Sequence, residues 1–143
     1  MASSIYNILY TSAALTVFED TSLKLMVVHP HGLVPSNLYR KGLITAVEVA
    51  IEKQLHHWLV NNIEGGIISS EDQVWASETV APLLAAESRI QKMAFIEPED
   101  IYSKIILEDL MDRAREMFLF EMQFFKEVKN AYTWFRDSSA TTL

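Results

Sequence analysis

The chain has 143 residues, half of them hydrophobic, which at roughly 150 residues per domain is one domain with enough apolar material for a core. Twelve Lys and Arg against nineteen Asp and Glu leave a net charge of −7, so a phosphate backbone or an anionic membrane is repelled overall and nucleic acid is not expected as a partner. Cysteine is absent, which excludes disulfides, thiolate metal sites and a cysteine nucleophile, and fits a cytoplasmic address.

The first eighteen residues carry no charged side chain, but they lack a basic leader region and are broken by Ser3, Ser4, Asn7, Thr11, Ser12 and Thr16. Neither a signal peptide nor a membrane span is expected there. Ile5–Tyr10 and Leu15–Phe18 alternate apolar with polar positions, as strands of an antiparallel hairpin do, and Glu19-Asp20-Thr21-Ser22 reads as the following turn. Leu23–His29 is a third strand, and Pro30, Gly32 and Pro35 punctuate the exit toward a helix capped by Ser36 or Asn37. From Leu38 to about Leu55, Ile44, Val47, Ile51 and Leu55, with Leu43 and Ala50, recur at helical spacing and predict a buried face.

Trp58-Leu59-Val60 reads as a central strand buried on both sides. After Gly65-Gly66, Ser70 and Gln73 form an expected capping box for a second helix that Pro82 should kink. Ile90–Ile96 is the next strand; Glu99-Asp100 then open a helix reaching to about Met117, with Arg113 and Arg115 at the end its dipole favours. Phe118, Phe120, Met122 and Phe124 share one face of a strand at period two, and Lys126–Arg136 forms the closing helix. The expected fold is α/β: a mixed, mainly parallel sheet of five to six strands with about four helices and an N-terminal antiparallel hairpin. It occupies residues 1–137 as a single domain, with 138–143 a frayed tail.

The chemistry offered is sparse. No glycine-rich phosphate loop, His-Glu-x-x-His or Gly-x-Ser-x-Gly pattern occurs. His29-Pro30-His31 ends one strand and His56-His57 begins the next, so if those strands run parallel the two pairs lie roughly 15–20 Å apart and cannot share an ion. His29 with His31 supplies two potential ligands, but no third is identifiable, and the pairs read as half-exposed turn histidines; no metal or other cofactor is assigned. The carboxylates of Glu97-Pro98-Glu99-Asp100 and of Glu108, Asp109 and Asp112 read as solvated helix faces rather than catalytic pairs. Seven of the fifteen aromatic rings fall between Phe118 and Phe135, mostly as core; Phe118 and Phe120, or the uncharged hairpin, offer an apolar patch for a homodimer.

Several clusters resemble the STAS-like domains, the fold of the anti-sigma-factor antagonists, and a bacterial branch of them in particular. They are Trp58-Leu59-Val60-Asn61-Asn62, Ser70-Glu71-Asp72-Gln73-Val74-Trp75, Met93-Ala94-Phe95-Ile96, and Phe125 with Ala131 and Trp134. The resemblance implies a non-enzymatic regulatory or protein-interaction module. In the antagonists a phosphorylatable Ser or Thr opens the second helix; the matching segment here is Ile68-Ser69-Ser70-Glu71, where Glu71 replaces the family's Gly and, with Asp72, would oppose a phosphate. The expected site of partner binding or phosphorylation is therefore Asn61, Asn62, Ser69, Ser70, Glu71 and Asp72, together with the acidic third helix. The alternative expectation is a small-molecule or lipid-binding domain with an apolar cavity between helices and sheet.

Overall fold

In a computed structural model, residues 6–64, 68–115 and 120–137 are described, and they form a six-stranded sheet whose strands lie side by side in chain order. β1 (Tyr6–Thr11), β2 (Leu15–Asp20) and β3 (Leu25–Pro30) make an antiparallel meander; β4 (His57–Asn61), β5 (Lys92–Ile96) and β6 (Glu121–Phe125) then continue it in parallel with β3. Local chemistry fixes the two turns. Ser12 Oγ accepts from the amides of Ala14 and Leu15, and Asp20 Oδ1 accepts from the amide and hydroxyl of Ser22. The second turn thus lies beyond Asp20, and β2 keeps Glu19 and Asp20 as paired strand residues.

The parallel half needs crossovers, and helices supply them. α1 (Ser36–Glu52) joins β3 to β4; α2 (Ser70–Trp75), a π-helical turn (Ala76–Val80) and α3 (Ala81–Glu87) join β4 to β5; α4 (Ile101–Arg115) joins β5 to β6; α5 (Val128–Arg136) follows β6. That π turn lies just before Pro82, where a kink is expected. Proline lacks the amide that a regular helix requires and its ring crowds the carbonyl four residues earlier, and the wider turn just before it relieves both.

Two hydrophobic layers sandwich the sheet. On one side Leu15, Val17, Met26, Val28, Trp58 and Met93 meet Leu43, Ala46, Val47 and Ala50 of α1 and Val80 and Leu84 of the second crossover. On the other, Leu25, Val27, Leu59, Ala94 and Ile96 meet Ala131 and Phe135 of α5. The alternation along β3, β4 and β5 is what lets both faces be buried. The face of α1 that packs inward is rotated from the one expected: Gly42, Leu43, Ala46, Val47 and Ala50 are buried, whereas Ile44 is 45% exposed. Gly42 sits where a Cβ would meet Leu15 Cδ2 and Tyr10, so α1 lies close on the hairpin only because that position has no side chain.

Expected features at Ile5, Met117, Phe118, Leu119 and 138–143 lie outside the described residues. Within them, the last strand begins at Glu121, with Met122 on the α1 side and Phe125 on the α5 side. No described helix is long and apolar enough to cross a membrane.

Candidate functional site

In an open parallel sheet, residues just beyond the carboxyl ends of neighbouring strands converge on one edge, and helices returning from them start there. That edge gathers His29 and His31 from β3, Asn61 to Glu64 from β4, and the first turns of α1 and α2. Backbone bonds pin it independently of side chains. The His31 amide donates to the Ala14 carbonyl at 2.8 Å, and the amide of Gly32, held at φ +63°, donates to the Glu64 carbonyl at 3.0 Å.

The result is a three-residue cluster. His29 and His31, two apart on an extended chain, project to the same side, with ring centroids 4.3 Å apart. Glu64 Oε2 lies 2.5 Å from His31 Nδ1 and 3.0 Å from His29 Nε2. The first contact is a hydrogen bond. The second is close but poorly aligned, so His29 Nε2 is buried without a hydrogen-bond partner. His31 Nε2 faces Thr16 Oγ1 of β2 at 3.3 Å. Burial, and then the neighbouring His31, pull the His29 pKa below 6.5, while the hydrogen bond from His31 chiefly holds the Glu64 carboxyl below its usual range. Near neutrality the cluster therefore offers an ionised carboxylate and a neutral imidazole.

A second cluster lies where α1 and α2 begin. Asp72 is fully buried, and its Oδ1 accepts from Ser36 Oγ and Arg40 Nε, each at 2.8 Å. Arg40 also lies over the Trp75 ring, 4.9 Å from its centroid. Burial opposes the Asp72 charge, but hydrogen bonding, led by Arg40 and then Ser36, outweighs it and lowers the carboxyl pKa; burial first, and then Asp72, push the Tyr39 hydroxyl up. The Ser36 hydroxyl is thereby spent on Asp72, and α1 begins after Pro35 with no side-chain cap. The cap of α2 is Ser69, not Ser70: Ser69 Oγ accepts from the Asp72 amide, and Gln73 Nε2 donates to the Ile68 carbonyl instead of closing a box.

The expected site residues therefore divide. Ser69, Ser70 and Glu71 are exposed at the start of α2. Asp72 points inward and is no part of that surface. Asn61 Oδ1 accepts from the Ile63 amide, whereas Asn62 is buried with Nδ2 unpartnered. His56 and His57 are at the opposite, amino end of β4; His57 Nδ1 pairs with the Leu23 carbonyl at 2.9 Å and its ring stacks on Phe135. The two histidine pairs are thus separated by the length of a strand, as parallel β3 and β4 require.

The residues that sequence reasoning missed are Glu64, Ser36 and Arg40. The signal for Glu64 was topological. In a β3–α1–β4 unit the loop after β4 lies beside the loop after β3, so an acid there is within reach of His29 and His31. The acidic helix pairs some of its charge with bases, Lys104 with Glu97 and Arg115 with Asp112, each at 3.3 Å. No family model, curated protein or solved structure matches the chain.

Proposed function

We propose that the chain is a non-enzymatic regulatory or protein-interaction module of STAS-like type, cytoplasmic, that forms a homodimer and takes a protein partner on α4. The observation that carries this reading is an unburied apolar stripe. Ile101, Tyr102 and Ile105 are 72%, 70% and 59% exposed, and positions i, i+1 and i+4 span about 100° of the helix circumference, the width of an ordinary apolar stripe. Exposed Glu99, Asp100, Asp109 and Asp112 rim it, so the matching partner surface is apolar at its centre and basic at its margin. For self-association the supporting feature is β1, an edge strand, whose Tyr6 and Ile8 are 49% and 68% exposed; an exposed edge is a template for pairing with a second copy.

The test is quantitative affinity capture from source cells with the wild-type chain and an Ile101→Asp/Ile105→Asp variant. Both changes are at exposed positions, so the thermal melt should hold. A protein retained by the wild type and lost with the variant supports the reading; identical retention by both contradicts it.

A small-molecule role is the second reading. Asn62 Nδ2 and Asp72 Oδ2 are buried without hydrogen-bond partners in a protein interior that normally satisfies such atoms. That favours a polar ligand at the carboxyl edge over an apolar one between helices and sheet. Thermal stabilisation by polar metabolites, lost in Asn62→Leu, would support it.

A further inference from the structure

We propose that His29, His31 and Glu64 form a binding site for a single divalent transition-metal ion of the zinc type, a site separate from the interaction surface of α4. One donor atom from each residue lies within 4.8 Å of the other two. Metal–ligand bonds of roughly 2.0–2.1 Å in tetrahedral geometry place donor atoms about 3.3 Å apart, so the ion enters as the 3.0 Å and 2.5 Å contacts to Glu64 open slightly and the two imidazole nitrogens, within 4.8 Å of each other, adjust toward that spacing. In the metal-free chain the carboxylate holds the imidazoles together through those contacts; in the loaded chain the ion takes the place of the bridging proton.

Two features separate this cluster from an ordinary surface ion pair. His29 Nε2 is buried with only a 3.0 Å contact to the carboxylate that falls short of hydrogen-bond alignment, and coordination supplies a better-aligned partner. On His31 the ring nitrogen away from Glu64 faces Thr16 Oγ1 at 3.3 Å, a hydroxyl that can accept from Nε2–H once Nδ1 exchanges its proton for the ion. The backbone bonds from His31 to Ala14 and from Gly32 to Glu64 hold both loops in register before any ion arrives.

The donor set selects the ion. Two imidazoles and one carboxylate suit zinc and its neighbours, whereas calcium and magnesium favour all-oxygen shells. Glu64 is half exposed, its side chain 54% accessible, which gives the ion an entry path and leaves water to complete the shell.

The experiment is calorimetric titration of the metal-free full chain with Zn2+ alone, in parallel with Mg2+ alone. The expected result is saturable binding of one Zn2+ per chain with no response to Mg2+. Glu64→Gln and His31→Ala should each weaken it by more than about 100-fold and Thr16→Val by about 10-fold. His56→Ala, at the other end of β4, should leave it unchanged. Glu64→Gln is at an exposed position and keeps the fold, so its loss of binding, matched by loss of the Zn2+-induced rise in Tm, cannot be ascribed to unfolding. No saturable Zn2+ binding by the wild type, or binding undiminished in both Glu64→Gln and His31→Ala, overturns the assignment.

Discussion

Replacing Asp72 by Ala tests whether this residue belongs to the surface at the start of α2 or to the interior. The substitution removes two charge-assisted hydrogen bonds, from Ser36 Oγ and Arg40 Nε, and strips the buried partner from a cation. Losing one member of a fully buried pair costs about 3–5 kcal/mol. Arg40, however, has 40% of its side chain accessible and can rehydrate, which lowers the expected loss to about 2–3 kcal/mol. For a chain of this length that is a fall in Tm of roughly 5–10 °C. Asp72→Asn keeps an acceptor for Ser36 and Arg40 but removes the charge, and should cost about half as much. Urea unfolding of wild type, Asp72→Ala, Arg40→Met and the double variant gives the coupling between the two residues, expected to be about 1 kcal/mol or more. Asp72→Ala within about 0.5 kcal/mol of wild type would refute the reasoning, because that is how a surface substitution behaves.

The cap assignment separates two adjacent serines: Ser69→Ala should cost about 1 kcal/mol and Ser70→Ala less than about 0.5 kcal/mol in the same urea assay, with the reverse order contradicting the placement of α2. Gly42→Ala, which in an ordinary helix interior stabilises by about 1 kcal/mol, should here destabilise by about 1–3 kcal/mol, since the new methyl meets the buried Leu15 side chain; a gain in Tm would show that α1 can move off the hairpin. Burial first, with neighbouring cations for His56 and His57, lowers the pKa of His29, His56 and His57 below 6.5. Below 6.5 the unfolded chain therefore binds more protons than the folded one, and urea stability should fall as pH drops through 6.5 toward the folded values; stability unchanged or higher at acid pH would contradict the burial of these rings.

Periodicity made most of the elements legible. Helical spacing located α1, α4 and α5, period-two alternation located β2 and β6, and the alternation of strands with helices implied the mainly parallel sheet. What periodicity could not supply was rotation and pairing. Leu43 and Ile44 both fit an apolar face, and only the close approach of α1 to Tyr10 and Leu15 at Gly42 fixes the rotation that puts Leu43 in and Ile44 out. Asp72 reads as one more acid in a helix's first turn until Arg40, thirty-two positions earlier, is seen to meet it. Lys92 reads as a polar residue at the start of a strand. It is buried because its ammonium reaches the end of α5, donating to the Trp134 carbonyl at 2.7 Å and to that of Asp137 at 3.3 Å, where a cation suits the helix dipole. The histidine pairs were assignable to opposite ends of the sheet from chain order alone, but that Glu64 meets His29 and His31 depends on the backbone bond from Gly32 that sets the two loops side by side.

The central claim is an interaction module that forms a homodimer, and its most direct test is the native mass of the purified chain at micromolar concentration, compared with that of Ile8→Lys. The account predicts twice the 16.3 kDa chain mass for the wild type and a single chain for the variant, whose exposed edge strand then carries a charge against pairing. A single-chain mass for the wild type across that concentration range would contradict it.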